Sequence, residues 1–187
     1  MASLVIHYAV AKAFASKNKI NDYSKFIEGS FYPDTVEKNA SHYSGLCDTP
    51  YNMLVNKVDL TKYVQEHTLS NDFEKGYFLH LIVDQIFYHD YCVQKLKSDK
   101  KFKDVLGHIG REYTKLNRRL IIKYKLDVSI IPQDLQQYFV KKITLPPKYL
   151  REKDIYDIVE YASNIDLEKC YSDIKKGFIP YYVYKKS

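Results

Sequence analysis

The sequence has no tryptophan, only three cysteines, and just six glycines and six prolines among its 187 residues. Cys47, Cys92 and Cys170 are odd in number and widely spaced, so neither a disulfide framework nor a CxxC metal or redox motif is available. Reduced thiols in a cytoplasmic protein are the expectation. Sparse Gly and Pro, with no low-complexity tract, exclude collagen-like repeats and linker-rich arrays. Long apolar runs are missing as well. His7, His80 and Asp84 interrupt the longest ones, well short of the roughly 18 to 20 residues a bilayer crossing needs. The first residues, MASLVIHYAVAKAFAS, contain an AFA triplet but no basic leading segment, and the short apolar run holds His7 and Lys12. A secretory leader is therefore not expected.

What the chain does have is 45% hydrophobic residues and 19 tyrosines, enough to bury a real core and to exclude disorder. Its length suits one domain, 1–187, read as a metal-site core over 1–126 followed by C-terminal helices and a Tyr-rich tail over 127–187. The net charge of +6 is uneven. Residues 1–94 hold 8 basic against 11 acidic side chains, a net −3, and residues 95–187 hold 21 against 12, a net +9. A basic half of this kind suits contact with an anionic surface such as phosphate, nucleic acid or lipid, or is simply a solvated lysine-rich face.

Helical patterning dominates. Leu4 to Phe14 reads as a buried helix with Ser3 as N-cap. Gly29 to Asn52 is rich in turn-forming residues and reads as one long loop, a feature usually tied to function. Asp59 caps a short helix ending at His67, which is expected at the surface. A central helix is expected from near Asp72 to about Leu96. Another from Phe102 to Leu126 shows an apolar stripe through Leu106, Ile109, Tyr113, Leu116, Leu120 and Tyr124. Pro132 opens a helix to about Val140, Leu145-Pro146-Pro147 breaks the pattern, and helices follow near 153–162 and 166–176, with Gly177 as the stop. With no recurring strand alternation, the class is all-α: a compact multi-helix bundle with a metal site between helices.

The chemistry lies in polar residues set where the pattern demands apolar ones. In YFLHLIVDQIFY, residues 77–88, His80 and Asp84 are four apart and share one helix face. A buried carboxylate needs an ion or a strong donor to offset it, and a divalent metal would serve. His7 is the same anomaly in the first helix, and Asp34 and His42 offer further ligands from the loop. The plain structural alternative is a His80–Asp84 hydrogen bond satisfying two core groups. His108 and Glu112 form a second pair at helical spacing, for which an exposed polar flank is the alternative. His89-Asp90 suggests an HD-type nucleotide phosphohydrolase, although His89 lies about half a turn round a regular α-helix from His80.

The order His7, Pro33-Asp34, Ser41-His42-Tyr43 and GYFLHLIVD from Gly76 to Asp84 resembles the zinc-dependent phospholipase C family, particularly its small bacterial members. That family shares a superfamily with the single-strand-specific nucleases. The likeness covers residues 1 to about 92. It implies that Asp34, His42, His80 and Asp84 bind one zinc and that Asp84 bridges to a second held by His7. For a full set of two or three ions it implies ligands at His89, His108 and Glu112. The family's secreted members also use the α-amino group of a mature N-terminal Trp; with no Trp here, that ligand is missing or replaced.

The expected function is hydrolysis of a phosphate ester, lipid head group or nucleotide, by a metal-bound hydroxide, with Asp34 or Asp84 taking the water's proton. Tyr32, Tyr43 or Tyr77 would flank the substrate. Imidazole and carboxylate ligands suit zinc, and manganese or iron would also fit. The alternative from another class is a non-catalytic helical metal-binding module that uses the basic half for anionic partners.

Overall fold

The computed structural model describes residues 2–48, 54–92, 112, 116–133 and 150–178. Helix α1 (Leu4–Lys17) starts where the Ser3 hydroxyl accepts the Ile6 amide. Every residue from Leu4 to Ala11 is buried, and so is Phe14, because a helix apolar on all sides can only sit inside the bundle. It packs against α2 (Tyr23–Thr35), α5 (Asp72–Asp84) and α7 (Glu152–Ser163). Between α2 and α5 lie a single turn, α3 (Lys38–Ser41), an antiparallel hairpin, and α4 (Leu60–Glu66). Residues 116–124 form α6, and α8 (Leu167–Lys175) packs on α4 and α5. The architecture is all-α, with the hairpin as its one addition among the described residues.

Side-chain caps set the helix starts. Asp22, Asp59, Asn71 and Asp166 each accept amides from the first turns of α2, α4, α5 and α8. Gly177 ends α8 in the left-handed region at φ +88°, with its amide on Ile174 O and the Phe178 amide on Asp173 O, the paired bonds of a Schellman stop.

Three expectations need correction. The long loop over Gly29–Asn52 is not one: residues 29–35 complete α2, and β1 (Ser44–Asp48) pairs with β2 (Leu54–Val58) so that Ser44 faces Val58 and Asp48 faces Leu54. Pro33 misled because it sits inside the last turn of α2, where it removes one helix hydrogen bond without ending the helix. The central helix is α only to Asp84; from Gln85 to Cys92 it is π-helical. His67 ends α4 as its C-cap, as expected, but it is half-buried and stacked on Tyr63 at 4.6 Å between ring centroids instead of lying at the surface. The expected helix over 134–140, the Leu145-Pro146-Pro147 break and the tail over 179–187 lie outside the described residues.

The α2–α5 contact is the most extensive in the fold, and two glycines make it possible. A Cβ on Gly29 would stand 2.0 Å from Phe73 O, and one on Gly76 would stand 2.0 Å from Phe26 O. The two backbones touch where these glycines cross. Alanine at either position must push the helices apart. Gly76→Ala and Gly29→Ala are each expected to lower stability by about 1–3 kcal/mol or more, read by urea denaturation. Wild-type midpoints in both variants would show that the crossing has slack.

Candidate metal centre

Close approach of α2 and α5 puts His80 and Asp84 of α5 beside Ser30 and Asp34 of α2, while α1 brings His7 from the other side. His42 follows α3 and is buried. Nε2 of His42 lies 3.2 Å from Nε2 of His80, 3.6 Å from Asp84 Oδ2 and 3.7 Å from Asp34 Oδ1. Nε2 of His80 lies 3.6 Å from Asp84 Oδ2. On the far side of the same carboxylate, His7 Nε2 is 3.4 Å from Asp84 Oδ1, and the Ala2 amide donates to that oxygen at 2.6 Å. The His7 and His80 rings stack with centroids 3.6 Å apart. All five expected core ligands therefore meet. They form two overlapping donor groups, His7 with His80 and Asp84, and Asp34 with His42 and His80.

Hydrogen bonds behind the rings decide what these atoms can bind. His80 Nδ1 lies 2.8 Å from Ser30 O, and a carbonyl only accepts, so that nitrogen carries the proton. Ser41 Oγ gives its one proton to the carbonyl of Pro33 or Glu37, each at 3.0 Å, so it must accept from His42 Nδ1 at 3.1 Å. Neutral His42 and His80 then present bare Nε2 lone pairs to each other and to two carboxylates. Only a cation among them, a metal or an extra proton, makes that arrangement favourable. The spacing suits a metal: bonds of about 2.0–2.1 Å in a tetrahedron imply ligand separations of about 3.3 Å. The two carboxylates also match the charge of one divalent ion. His7 Nδ1, His7 Nε2 and Asp84 Oδ2 are buried with no hydrogen-bond partner, the condition a metal would relieve. Buried His7, His42, His80 and Asp84 are thus placed to bind a metal.

The electrostatics agree. Burial would raise the pKa of Asp84, but the nearby His7, with His80 adding to it, holds it well below the ordinary carboxylate value. Asp34 is likewise held low, the adjacent His42 and the charges of His80 and His7 outweighing burial. His7 is pushed down by burial and then by His80, which keeps it neutral. His80 goes the other way: burial pulls it down, but the adjacent Asp84 carboxylate and the charge of Asp34 raise it. A proton on His80 is therefore the metal's competitor.

Among the described residues, neither donor group includes a further expected ligand. Glu112 is buried and accepts the Leu150 amide at 2.6 Å. His89 falls in the π-helical stretch and its side chain, like His108, lies outside the described residues. Of the three tyrosines, Tyr77 donates to Ser41 O at 2.5 Å and Tyr43 donates to Glu66, while Tyr32 remains exposed. Sequence reasoning missed the orienting groups Ser30 O and Ser41 Oγ; the Ser of the Ser41-His42 pair was the available signal. Comparison of the chain with protein-family models, with curated proteins and with solved structures finds no match, so the functional reading rests on the chemistry of this site.

Metal uptake is expected to release protons, with affinity falling about tenfold per pH unit once the pH drops below the raised pKa of His80. Titration calorimetry in buffers of different ionisation enthalpy reads the proton count. Asp84→Asn is expected to weaken binding by more than about 100-fold. Tight, pH-independent uptake by that variant would place the ion elsewhere.

Proposed function

We propose that this protein is a zinc-dependent phosphoric ester hydrolase resembling phospholipase C. The observation that carries the reading is how Asp84 divides its carboxylate: Oδ1 faces His7 and Oδ2 faces His42 and His80. A carboxylate with imidazoles facing both of its oxygens would suit a pair of divalent ions, and such pairs serve phosphoryl chemistry. Mixed imidazole and carboxylate donors favour zinc, with manganese or iron able to substitute.

Zinc held by these residues would supply an acidified water and positive charge toward the phosphoryl oxygens. The residues of the chain divide the remaining work. Asp84, 1% exposed, has one oxygen on the Ala2 amide and the other between two imidazoles, which suits it to hold position. Asp34 has a side chain 12% exposed, so among the carboxylates of the cluster it is the one with access to solvent. It is assigned the task of taking the nucleophile's proton and passing it out. Ser30 O and Ser41 Oγ fix the tautomers of His80 and His42, so neither ring must reorient during turnover. A purely structural zinc site would close all four positions with protein donors and have no use for His7.

The test is metal analysis of the purified protein followed by assays with bis-p-nitrophenyl phosphate and p-nitrophenyl phosphate. Zinc-dependent turnover is expected, falling by at least about 100-fold in Asp34→Asn, with zinc still bound. Metal uptake without hydrolysis of either ester would leave a binding module in place of an enzyme.

A further inference from the structure

His42 is held in the cluster from an unusual piece of backbone. Tyr43, directly after it, has φ +48°, the left-handed region that a bulky L residue occupies only when its surroundings compel it. The backbone here is fastened on both sides. Ser41 O accepts the Tyr77 hydroxyl, the Tyr43 amide donates to Ala40 O at 3.4 Å, and Tyr43 O accepts the Asp59 amide at 2.8 Å. The far end of Tyr43 is fastened as well. Its hydroxyl donates to Glu66 Oε2 at 2.9 Å and lies 2.7 Å from His67 Nε2.

That second anchor is itself supported. His67 Nδ1 lies 3.0 Å from Glu74 Oε2, which also accepts the Tyr63 hydroxyl at 2.8 Å. The Tyr43 ring packs edge-on against Tyr63 and His67, and the Tyr171 hydroxyl donates to the His67 carbonyl at 2.7 Å. Glu66 and the imidazole at the end of α4, with the rings of Tyr63 and Tyr77, thus surround one phenol, and Glu74 and Tyr171 brace the imidazole from behind. None of them reaches the metal ligands directly. An ordinary half-buried tyrosine needs one hydrogen-bond partner; this one is met by two, each ionisable, in the strained position next to a ligand.

We propose that Tyr43 is a positioning residue for the metal centre: tied to Glu66 and to the His67–Glu74 pair, it holds the left-handed turn that aims His42 Nε2 at Asp34 and Asp84. The inference rests on the reading of His42 as a metal ligand and adds to it the device that presents the ligand. With the phenol released, the turn relaxes toward ordinary backbone and His42 swings away from the other donors. The Ser41 hydroxyl bond alone fixes the ring's tautomer but not its place.

Cobalt(II) in place of zinc tests this, because its visible spectrum reports ligand number and geometry. Wild type, Tyr43→Phe and Tyr43→Asn are compared for cobalt affinity, by competition with a chromophoric chelator, for the spectrum of the bound ion, and for the melting temperature of the metal-free protein. Tyr43→Phe keeps the ring and loses both anchors. Tyr43→Asn tolerates the left-handed backbone and loses the phenol. Both are expected to bind cobalt about tenfold more weakly than wild type with an altered visible band, and Glu66→Gln and His67→Gln to shift the band the same way. Wild-type affinity and spectrum in Tyr43→Phe overturn the inference while leaving the metal centre intact. Tyr43→Asn binding like wild type also overturns it, by showing that the turn needs no anchor. Wild-type protein that takes up neither cobalt nor zinc overturns the metal centre, and the positioning role falls with it.

Discussion

Asp84 is an ionised carboxylate at the middle of an apolar bundle, and the need to match its charge organises everything around it. Left alone it would destabilise the fold by several kcal/mol or take up a proton. Instead each oxygen has its own surroundings: the Ala2 amide and His7 from the α1 end on one side, His42 and His80 on the other. One side chain thereby joins the start of α1, the end of α5 and the turn after α3. Nothing in a hydrophobic core would hold these three segments in that relation, since apolar contacts have no direction.

The packing exists to bring the partners that close. Gly29 and Gly76 let α2 and α5 touch backbone to backbone, which puts Ser30 O within 2.8 Å of His80 Nδ1. A wider crossing would leave that nitrogen without its acceptor and free the ring to choose the other tautomer. Pro33 removes one hydrogen bond from the last turn of α2, the turn that carries Asp34. Beyond the site, the α-helical ladder of α5 changes to π at the residue after Asp84. Such a change alters which faces the following residues present, so the half-turn separation of His80 and His89 on a regular helix does not apply to this chain. Insertions of this kind gather at functional sites.

How much of this could be read from the sequence follows from the range of each interaction. His7, His80 and Asp84 were legible because a polar residue inside an apolar helix is a local contradiction. Caps at Ser3, Asp59 and Gly177 were legible because they act within one turn. Helix α2 was not: Gly29 and Pro33 look like breakers, yet the glycine is there for a neighbour nearly fifty residues away and the proline sits in a last turn that tolerates it. The spacing of Tyr23, Phe26, Ile27 and Phe31 after Asp22 was the signal for that helix. The hairpin escaped because β1, Ser-Gly-Leu-Cys-Asp, has almost no strand preference, and its register depends on a partner strand. The locking of His42 and His80 into one tautomer was invisible for the same reason. It depends on Ser30 and Ser41 as they stand in space, and a serine has no pattern to announce a second-layer role.

A polar cluster can persist in a core simply because its members satisfy one another, and that alternative meets a specific difficulty here. A self-sufficient His–Asp pair would set N–H against carboxylate and finish the count. In this site the hydrogen bonds to Ser30 O and Ser41 Oγ aim both Nε2 atoms inward, toward two carboxylates, an arrangement that a metal or a further proton on His80 would balance. His7 deepens the difficulty, since neither of its ring nitrogens has a partner and each buried, unmet polar group opposes folding by about 1–3 kcal/mol. A chain that keeps three imidazoles and two carboxylates around one small volume, with Asp34 left partly open to solvent, gives up stability for a buried cluster that could bind a metal.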